Sequence, residues 1–331
     1  MTQKMYLAIV IINYRTPHLV IDCLASLEDQ IDVTQHCVIL VDNDSGDESV
    51  SILEQTIVDH QWNDWVHLIA SPVNGGFSAG NNLGIKAINA QAYLLLNSDT
   101  IVRPGAIASL LKALEQHPEA GLISPRLEWP DGTPQISCFR DHSFVSELIN
   151  AAATGLITTL FSPYNVPIPV LDSPFEPQWT SFACVLIRRE VIEQIGLMDE
   201  GYFMYFDDID YCRRARKAGW KVLHWPDAHV VHLRGGSGSV KSDLAQRKRP
   251  RSYLYASRSR YFAKFYGIVG LWIANLFWLM GRSVSLIREL MGQRSTHICD
   301  YAAQDIWMNW HNPLQLPTLP TSSKINHEQT S

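Results

Sequence analysis

Positive charge is scarce in this 331-residue chain: 27 Lys and Arg stand against 33 Asp and Glu, a formal net charge of −6. That balance gives no reason to expect nucleic acid as a partner. Cysteine is sparse as well. The six (Cys23, Cys37, Cys138, Cys184, Cys212, Cys299) show no CxxC spacing, so they read as reduced, mostly buried thiols of a cytosolic protein rather than a disulfide or zinc framework. No apolar run reaches the roughly 20 residues that span a bilayer; "YGIVGLWIANLFWLMG", Tyr266 to Gly281, covers 16. The apolar run from Met5 to Ile12 follows Lys4, but it is short, rich in β-branched residues and stops at Asn13 without a small-residue cleavage site. A buried strand, not a signal peptide, is the expectation. The glycines at 75, 76 and 80 do not make GxGxxG, which excludes the dinucleotide fingerprint. No internal repeat is visible.

What the chain has is apolar mass, 46% of its residues, enough to bury one large α/β domain or two smaller ones. "YLAIVII" and "HCVILVD" are continuous apolar strands around "TPHLVIDCLASLEDQ", where Leu19, Cys23, Leu24 and Leu27 recur at helical spacing, a βαβ unit of a parallel sheet. A helix to about residue 61, the strand "VHLIASP", the loop "NGGFSAGNNLG", a short helix and the strand "AYLLLNSDT" follow. Three strands thus end in polar residues, at Asn13-Tyr14, Asp42-Asn43 and Asn97 to Asp99. Ligands of open α/β sheets bind beyond the carboxyl ends of the strands. After residue 100 the alternation weakens. Residues 140–177, rich in proline and poor in charge, read as a mobile or acceptor-facing insertion. "WTSFACVLIRREVIEQIG" returns to strand then helix, and "WKVLHWP" is a further strand.

Four stretches could carry chemistry. "VDNDSGD" places Asp42 at a strand end; it is either an ordinary turn or an acid that accepts a pyrimidine ring N–H. The glycine-rich loop lets backbone approach a diphosphate, with Gly75 in the loop and Asn81 or Asn82 as polar partner. Asp99, where the apolar "LLLNSDT" strand stops, suits a hard divalent cation that also holds phosphate oxygens; a phosphatase would need an Asp nucleophile where Asn97 stands. His229 and His232 lie at the end of "HVVHLRGGSGS", and imidazole can complete a metal's coordination. Finally, "YFMYFDDIDYCRRARKAGW" brings Asp207, Asp208 and Asp210 directly after Tyr202, Phe203, Tyr205 and Phe206. A helix N-terminus explains the acids, and Arg213 to Gly219 suit its far end, but not the aromatics.

These stretches, in this order and spacing, resemble family 2 glycosyltransferases of the GT-A fold, an α/β nucleotide-diphospho-sugar transferase fold with a mostly parallel central sheet flanked by helices. The resemblance covers about residues 5–265 and is greatest to the rhamnosyltransferase branch, with galactofuranosyltransferases nearby. It implies a nucleotide-diphosphate sugar donor, a divalent metal (Mn2+ or Mg2+), and transfer of one sugar with inversion to a polysaccharide or lipid-linked oligosaccharide. Carried over by position, Asp42 is similar to the pyrimidine-binding acid, with Asn13, Tyr14 and Asn43 beside the base. Asn97-Ser98-Asp99 matches the metal-binding DxD, with Asn in place of the first Asp, and His232 matches the histidine that completes the metal site. Asp208 matches the general base of the "ED" pair, and Asp207 stands where Glu is more usual. Tyr205, Asp207 and Arg258 are the expected acceptor contacts. The resemblance implies rhamnose from dTDP-rhamnose; another hexosyltransferase of the family, a nucleotidyltransferase and a silent sugar-nucleotide-binding module are the alternatives. A nucleotidyltransferase would need a basic glycine-rich loop where "NYRTPH" stands, a silent module would have lost Asp99 or Asp208, and no QxxRW motif marks a processive synthase.

The catalytic domain is expected to span residues 1–240, with the nucleotide half to about residue 100 and the acceptor half after it. A basic and apolar helical extension is expected over 241–312 and a disordered tail over 313–331. Between Lys241 and Lys264 there are eight Lys or Arg residues and one acid, Asp243. A basic stretch ahead of a short apolar segment fits a protein that sits on the inner face of the cytoplasmic membrane without crossing it. Leu271, Trp272, Leu276, Phe277 and Trp278 are then candidates for lipid contact.

Overall fold

The computed structural model describes residues 5–234, 248–292, 298–299 and 301–316. An eight-stranded sheet organises the chain. Its parallel half comprises β1 (Met5–Asn13), β2 (His36–Asp42), β3 (Val66–Ala70) and β4 (Ala90–Asn97), and α1 (Pro17–Leu27), α2 (Ser49–Asp59) and α3 (Gly76–Ala87) connect them. The short β5 (Thr100–Val102), α4 (Ala106–Gln116) and β6 (Ala120–Glu128) follow, then β9 (Cys184–Arg188), α7 (Arg189–Ile195), α8 (Asp207–Lys217) and β10 (Lys221–His232). Strand order is β3-β2-β1-β4-β9-β6-β10-β5, with β9 antiparallel to both its neighbours and β5 antiparallel to β10.

β1 is apolar throughout because both faces of the sheet are covered. Leu7, Ile9 and Ile11 face one core with α1 and α4, while Ala8 and Val10 face a second core shared with α8. The insertion at residues 140–177, expected to be mobile or acceptor-facing, has regular structure: β7 (Cys138–Phe139) and β8 (Trp179–Thr180) pair at its two ends, and it contains the helices α5 (Phe144–Ala152) and α6 (Gly155–Leu160). Ser143 caps α5 by a reciprocal pair with Ser146.

The C-terminal extension is longer than its apolar run suggests. Helix α9 (Ser252–Leu290) has 39 residues, broken once at Gly267 (φ 72°), and packs against α5. By length and composition it is the one helix among the described residues that could cross a membrane, so shortness is no argument against spanning. The expected lipid contacts divide: Leu271 and Trp278 are buried, Phe277 is half-buried, and Trp272 and Leu276 are exposed. A short α10 (Ala302–Asp305) closes a third apolar cluster with Trp278 and Ile298. The Gly/Ser loop after Arg234, Lys241 and Arg247 of the basic stretch, and residues 317–331 of the expected tail lie outside the described residues.

Candidate functional site

Register brings the polar strand ends together. Asn13 pairs with Asp42 across β1 and β2, and Ile12 pairs with Asn97 across β1 and β4. The Asn13 amide donates to Asp42 Oδ2 (2.7 Å) and to Ser45 Oγ (3.2 Å), while its own oxygen accepts from Thr16 N (3.1 Å). Asp42 also accepts from Ser45 N at Oδ1 and from the Ser45 hydroxyl at Oδ2, which leaves a free acceptor site on Oδ1 for a base N–H. Tyr14 is half-buried beside it, with the Arg15 guanidinium 5.2 Å from its ring centroid.

Asn43 does not point outward: its amide braces the glycine-rich loop, donating to Asn74 Oδ1 (3.1 Å) and Gly76 O (3.0 Å). Gly75 opens α3 as its N-cap. The residue that the loop cannot do without is Gly76, at φ +83°. A Cβ there would lie 2.1 Å from the Phe203 carbonyl oxygen, which accepts from Phe77 N at 2.7 Å. The sequence drew attention to glycines here, but which one carries a positive φ depends on the Phe203 contact 127 positions away. Asn82 is corrected: it faces the far side of α3, where its amide donates to Met198 O and Glu200 Oε1 and accepts from Met198 N. It anchors the segment leading into the aromatic loop and does not face the strand ends.

Asp99 and His232 are 133 positions apart, yet the antiparallel pairing of β5 with β10 sets His232 opposite Thr100, and Leu233 N donates to Asp99 O (2.9 Å). His232 Nε2 lies 3.4 Å from Asp99 Oδ1, and both side chains are buried. Asp99 Oδ1 and His232 Nδ1 have no hydrogen-bond partner. A buried, unpartnered carboxylate oxygen is costly unless something binds it. A carboxylate and an imidazole 3.4 Å apart are donors that a divalent cation could share, although among the described residues no third His, Cys, Asp or Glu joins them. His229, by contrast, pairs with the buried Glu128 (3.0 Å). Gln135, which the sequence did not single out, holds the strand end by donating to His232 O (2.7 Å). Asn97 is half-buried at the end of β4.

Helix α8 begins where the chain takes two left-handed residues in a row, Tyr205 (φ 67°) and Phe206 (φ 64°), a conformation that non-glycine residues rarely adopt and that clusters at functional sites. The aromatic loop is held from three directions: Phe203 by the Gly76 loop, Tyr205 by Tyr253 (centroids 6.2 Å apart), and Phe206 by Tyr261 and His142. The three acids then separate. Asp210 is structural, buried among the Tyr202 hydroxyl (3.2 Å), Arg214 (2.7 Å) and Lys264 (2.6 Å). Asp207 is buried, and burial together with the Asp208 carboxylate pushes its carboxyl well above the ordinary range. Asp208 alone is partly exposed, its Oδ1 accepting from Ile209 N (2.9 Å).

Arg258 is also corrected. It is buried, donating to Glu147 Oε2 (2.8 Å) and Asn275 Oδ1 (2.7 Å) between α9 and α5. It holds the extension to the insertion and is not presented to an acceptor. All six cysteines are buried and free.

The chain is 29% identical to the N-acetylglucosaminyl-diphospho-decaprenol L-rhamnosyltransferase of Mycobacterium tuberculosis over 78% of this chain and 84% of that protein. It is 26% identical to the dTDP-rhamnosyl transferase RfbF of Shigella flexneri over 53% of this chain and 54% of the other. Among solved structures, GalNAc-T7 with UDP, GalNAc and Mn2+ superposes with a TM-score of 0.59 at 13% identity, over 94% of this chain and 59% of that one, a likeness of fold to a GT-A transferase. The family model for glycosyltransferase like family 2 matches residues 4–256, and the chain is a glycosyltransferase belonging to that family.

Proposed function

We propose that this enzyme transfers rhamnose, with inversion, from dTDP-rhamnose to a polysaccharide or lipid-linked glycan at the inner face of the cytoplasmic membrane. The observation that carries the reading is the division of labour among the carboxylates: Asp99 is buried beside His232 with an oxygen that accepts no hydrogen bond, whereas Asp208 is partly exposed at the start of a helix. The rhamnosyl transferases among the relatives, one named for a dTDP-sugar and one for a diphospho-decaprenol acceptor, favour this donor and acceptor.

Asn13, Tyr14 and Asp42 would hold the base at the ends of β1 and β2. The Gly75-Gly76 loop lets backbone approach the diphosphate. A divalent cation on Asp99 and His232 would neutralise the leaving nucleotide diphosphate. Asp208 takes the proton of the acceptor hydroxyl as its oxygen bonds to the anomeric carbon, and the bond from that carbon to the diphosphate oxygen breaks on the opposite face. Burial, and after it the Asp208 carboxylate, raise Asp207, which disfavours a second negative charge beside the base. Tyr205 forms part of the wall against which an acceptor sugar would stack.

Thermal shift across nucleotide sugars with Mn2+ or EDTA, followed by analysis of the product anomer, tests the reading. Stabilisation by dTDP-rhamnose with Mn2+ and an inverted linkage are expected. An equal or larger shift with UDP-galactofuranose would move the assignment to that donor, and a retained anomer would remove Asp208 as base.

A further inference from the structure

In the second half of α9, from the break at Gly267 to Leu290, the buried side carries two large apolar residues, Leu271 and Trp278, among small or polar ones, Gly270, Ala274, Asn275, Gly281 and Ser285. A Cβ on Gly281 would lie 2.3 Å from the Leu148 carbonyl oxygen, so the two backbones touch. The opposite face carries the large apolar side chains: Ile268, Trp272, Leu276, Met280, Ile287 and Leu290 are between 46% and 89% exposed. They recur at helical spacing along about 33 Å of helix. Large apolar side chains left outside along the length of a helix suit an interfacial helix whose outer face meets lipid.

Helix α6 extends this surface. Leu156 is 81% and Leu160 72% exposed, and the Arg288 guanidinium near the end of α9 donates to Ala153 O at the turn that leads into α6. No acid occurs from Phe265 to Arg288. The break end presents a cation: Lys217 is exposed with its ammonium 5.0 Å from the Phe265 ring, whereas Arg213 beside it is turned inward, donating to the Tyr261 hydroxyl (2.7 Å).

We propose that the exposed face of α9, with α6 beside it, is a docking surface that lies flat in the interface of an anionic bilayer, with Lys217 over the headgroups. The other face of the helix is taken up by α5 and by the buried Arg258–Glu147 pair (2.6 Å), so the helix lies on the bilayer and does not cross it. The inference rests on the membrane-side reading of the function and names the elements that would deliver it.

Vesicles of phosphatidylglycerol and phosphatidylcholine containing neither donor nor acceptor test it by co-sedimentation of the full chain, so that failure to dock is separable from failure to use a given sugar. Binding is expected, and the variant Leu276→Glu with Met280→Glu, both on exposed positions, is expected to bind at least about tenfold more weakly while transfer to a water-soluble acceptor persists. Lys217→Glu should weaken binding to anionic vesicles but not to neutral ones. The surface is not a lipid surface if the full chain fails to sediment with vesicles or if the double variant binds as tightly. It is equally not one if ultracentrifugation shows a wild-type dimer that the double variant splits, since a second copy would then be the occupant.

Discussion

Of the three acids that open α8, only Asp208 reaches the surface. Asp210 is enclosed by Arg214 and Lys264 and Asp207 is buried, so Asp208→Asn should lower transfer by about 10²–10⁴-fold, the usual contribution of a general base, while donor binding by calorimetry stays intact. Near wild-type turnover would sink the assignment. At the other carboxylate, Asp99→Ala or His232→Ala should remove the metal dependence of nucleotide-diphosphate binding, because each would supply one of two donors held 3.4 Å apart. Equal donor affinity in wild type with Mn2+ and with EDTA would rule the metal role out. Gly76→Ala places a methyl group against the Phe203 carbonyl in a left-handed backbone. Transfer should fall more than donor affinity, since the loop displaced is the one that leads into Asp208.

Between elements, the junction of α9 and α5 contains a buried ion pair whose members come from positions 258 and 147. Glu147 lies below the usual carboxylate range although burial opposes this, because Arg258 and His142 face it. Removing one partner of a buried pair leaves an uncompensated charge and typically costs about 3–5 kcal/mol. Arg258→Met is therefore expected to lower the midpoint of thermal unfolding without changing the KM for the acceptor in the surviving folded enzyme. The reverse pattern, an unchanged midpoint and a raised KM, would return Arg258 to the acceptor site. The same packing means that truncation after Phe265 would strip α5 of its partner, since Leu271, Ala274 and Trp278 are buried.

For the whole molecule, acid stability should be limited by the cluster behind the catalytic loop. Burial alone would raise the Asp199 carboxyl, but hydrogen bonds from Arg260 and Lys264 bring it down from 3.8 to about 2. A depressed carboxylate contributes stability that is complete above its unfolded value and is lost as pH falls through the folded one. The buried His224 works in the same direction: burial first, and then Arg126, lower it from 6.5 to about 4, so its neutral form stabilises the fold above pH 6.5 and that contribution fades towards pH 4. Denaturant midpoints should decline from pH 6.5 downwards, and Asp199→Asn should be less stable than wild type at pH 7 and approach it near pH 2. A pH-independent difference between the two would overturn the Asp199 account.

The sequence by itself determined the strands and the polar residues at their ends, because both are local. A continuous apolar run of seven or so residues between turn signals can be little else than a buried strand, and the residues that stop it must sit at its carboxyl end. It also determined Asp99, His232 and Asp208 as candidates, since their motifs are compact. Tertiary structure decided which of several equivalent-looking residues do what. Gly76 differs from Gly75 only through Phe203, Asn82 from Asn81 only through Met198 and Glu200, and Asp208 from Asp210 only through Arg214 and Lys264. Arg258 looked like a surface cation in a basic stretch until Glu147 was brought beside it. The sixteen apolar residues after Phe265 gave no indication of which face would be covered, because that depends on α5, a helix more than a hundred positions away. Such assignments rest on contacts between distant segments, and no local pattern of spacing or charge encodes them.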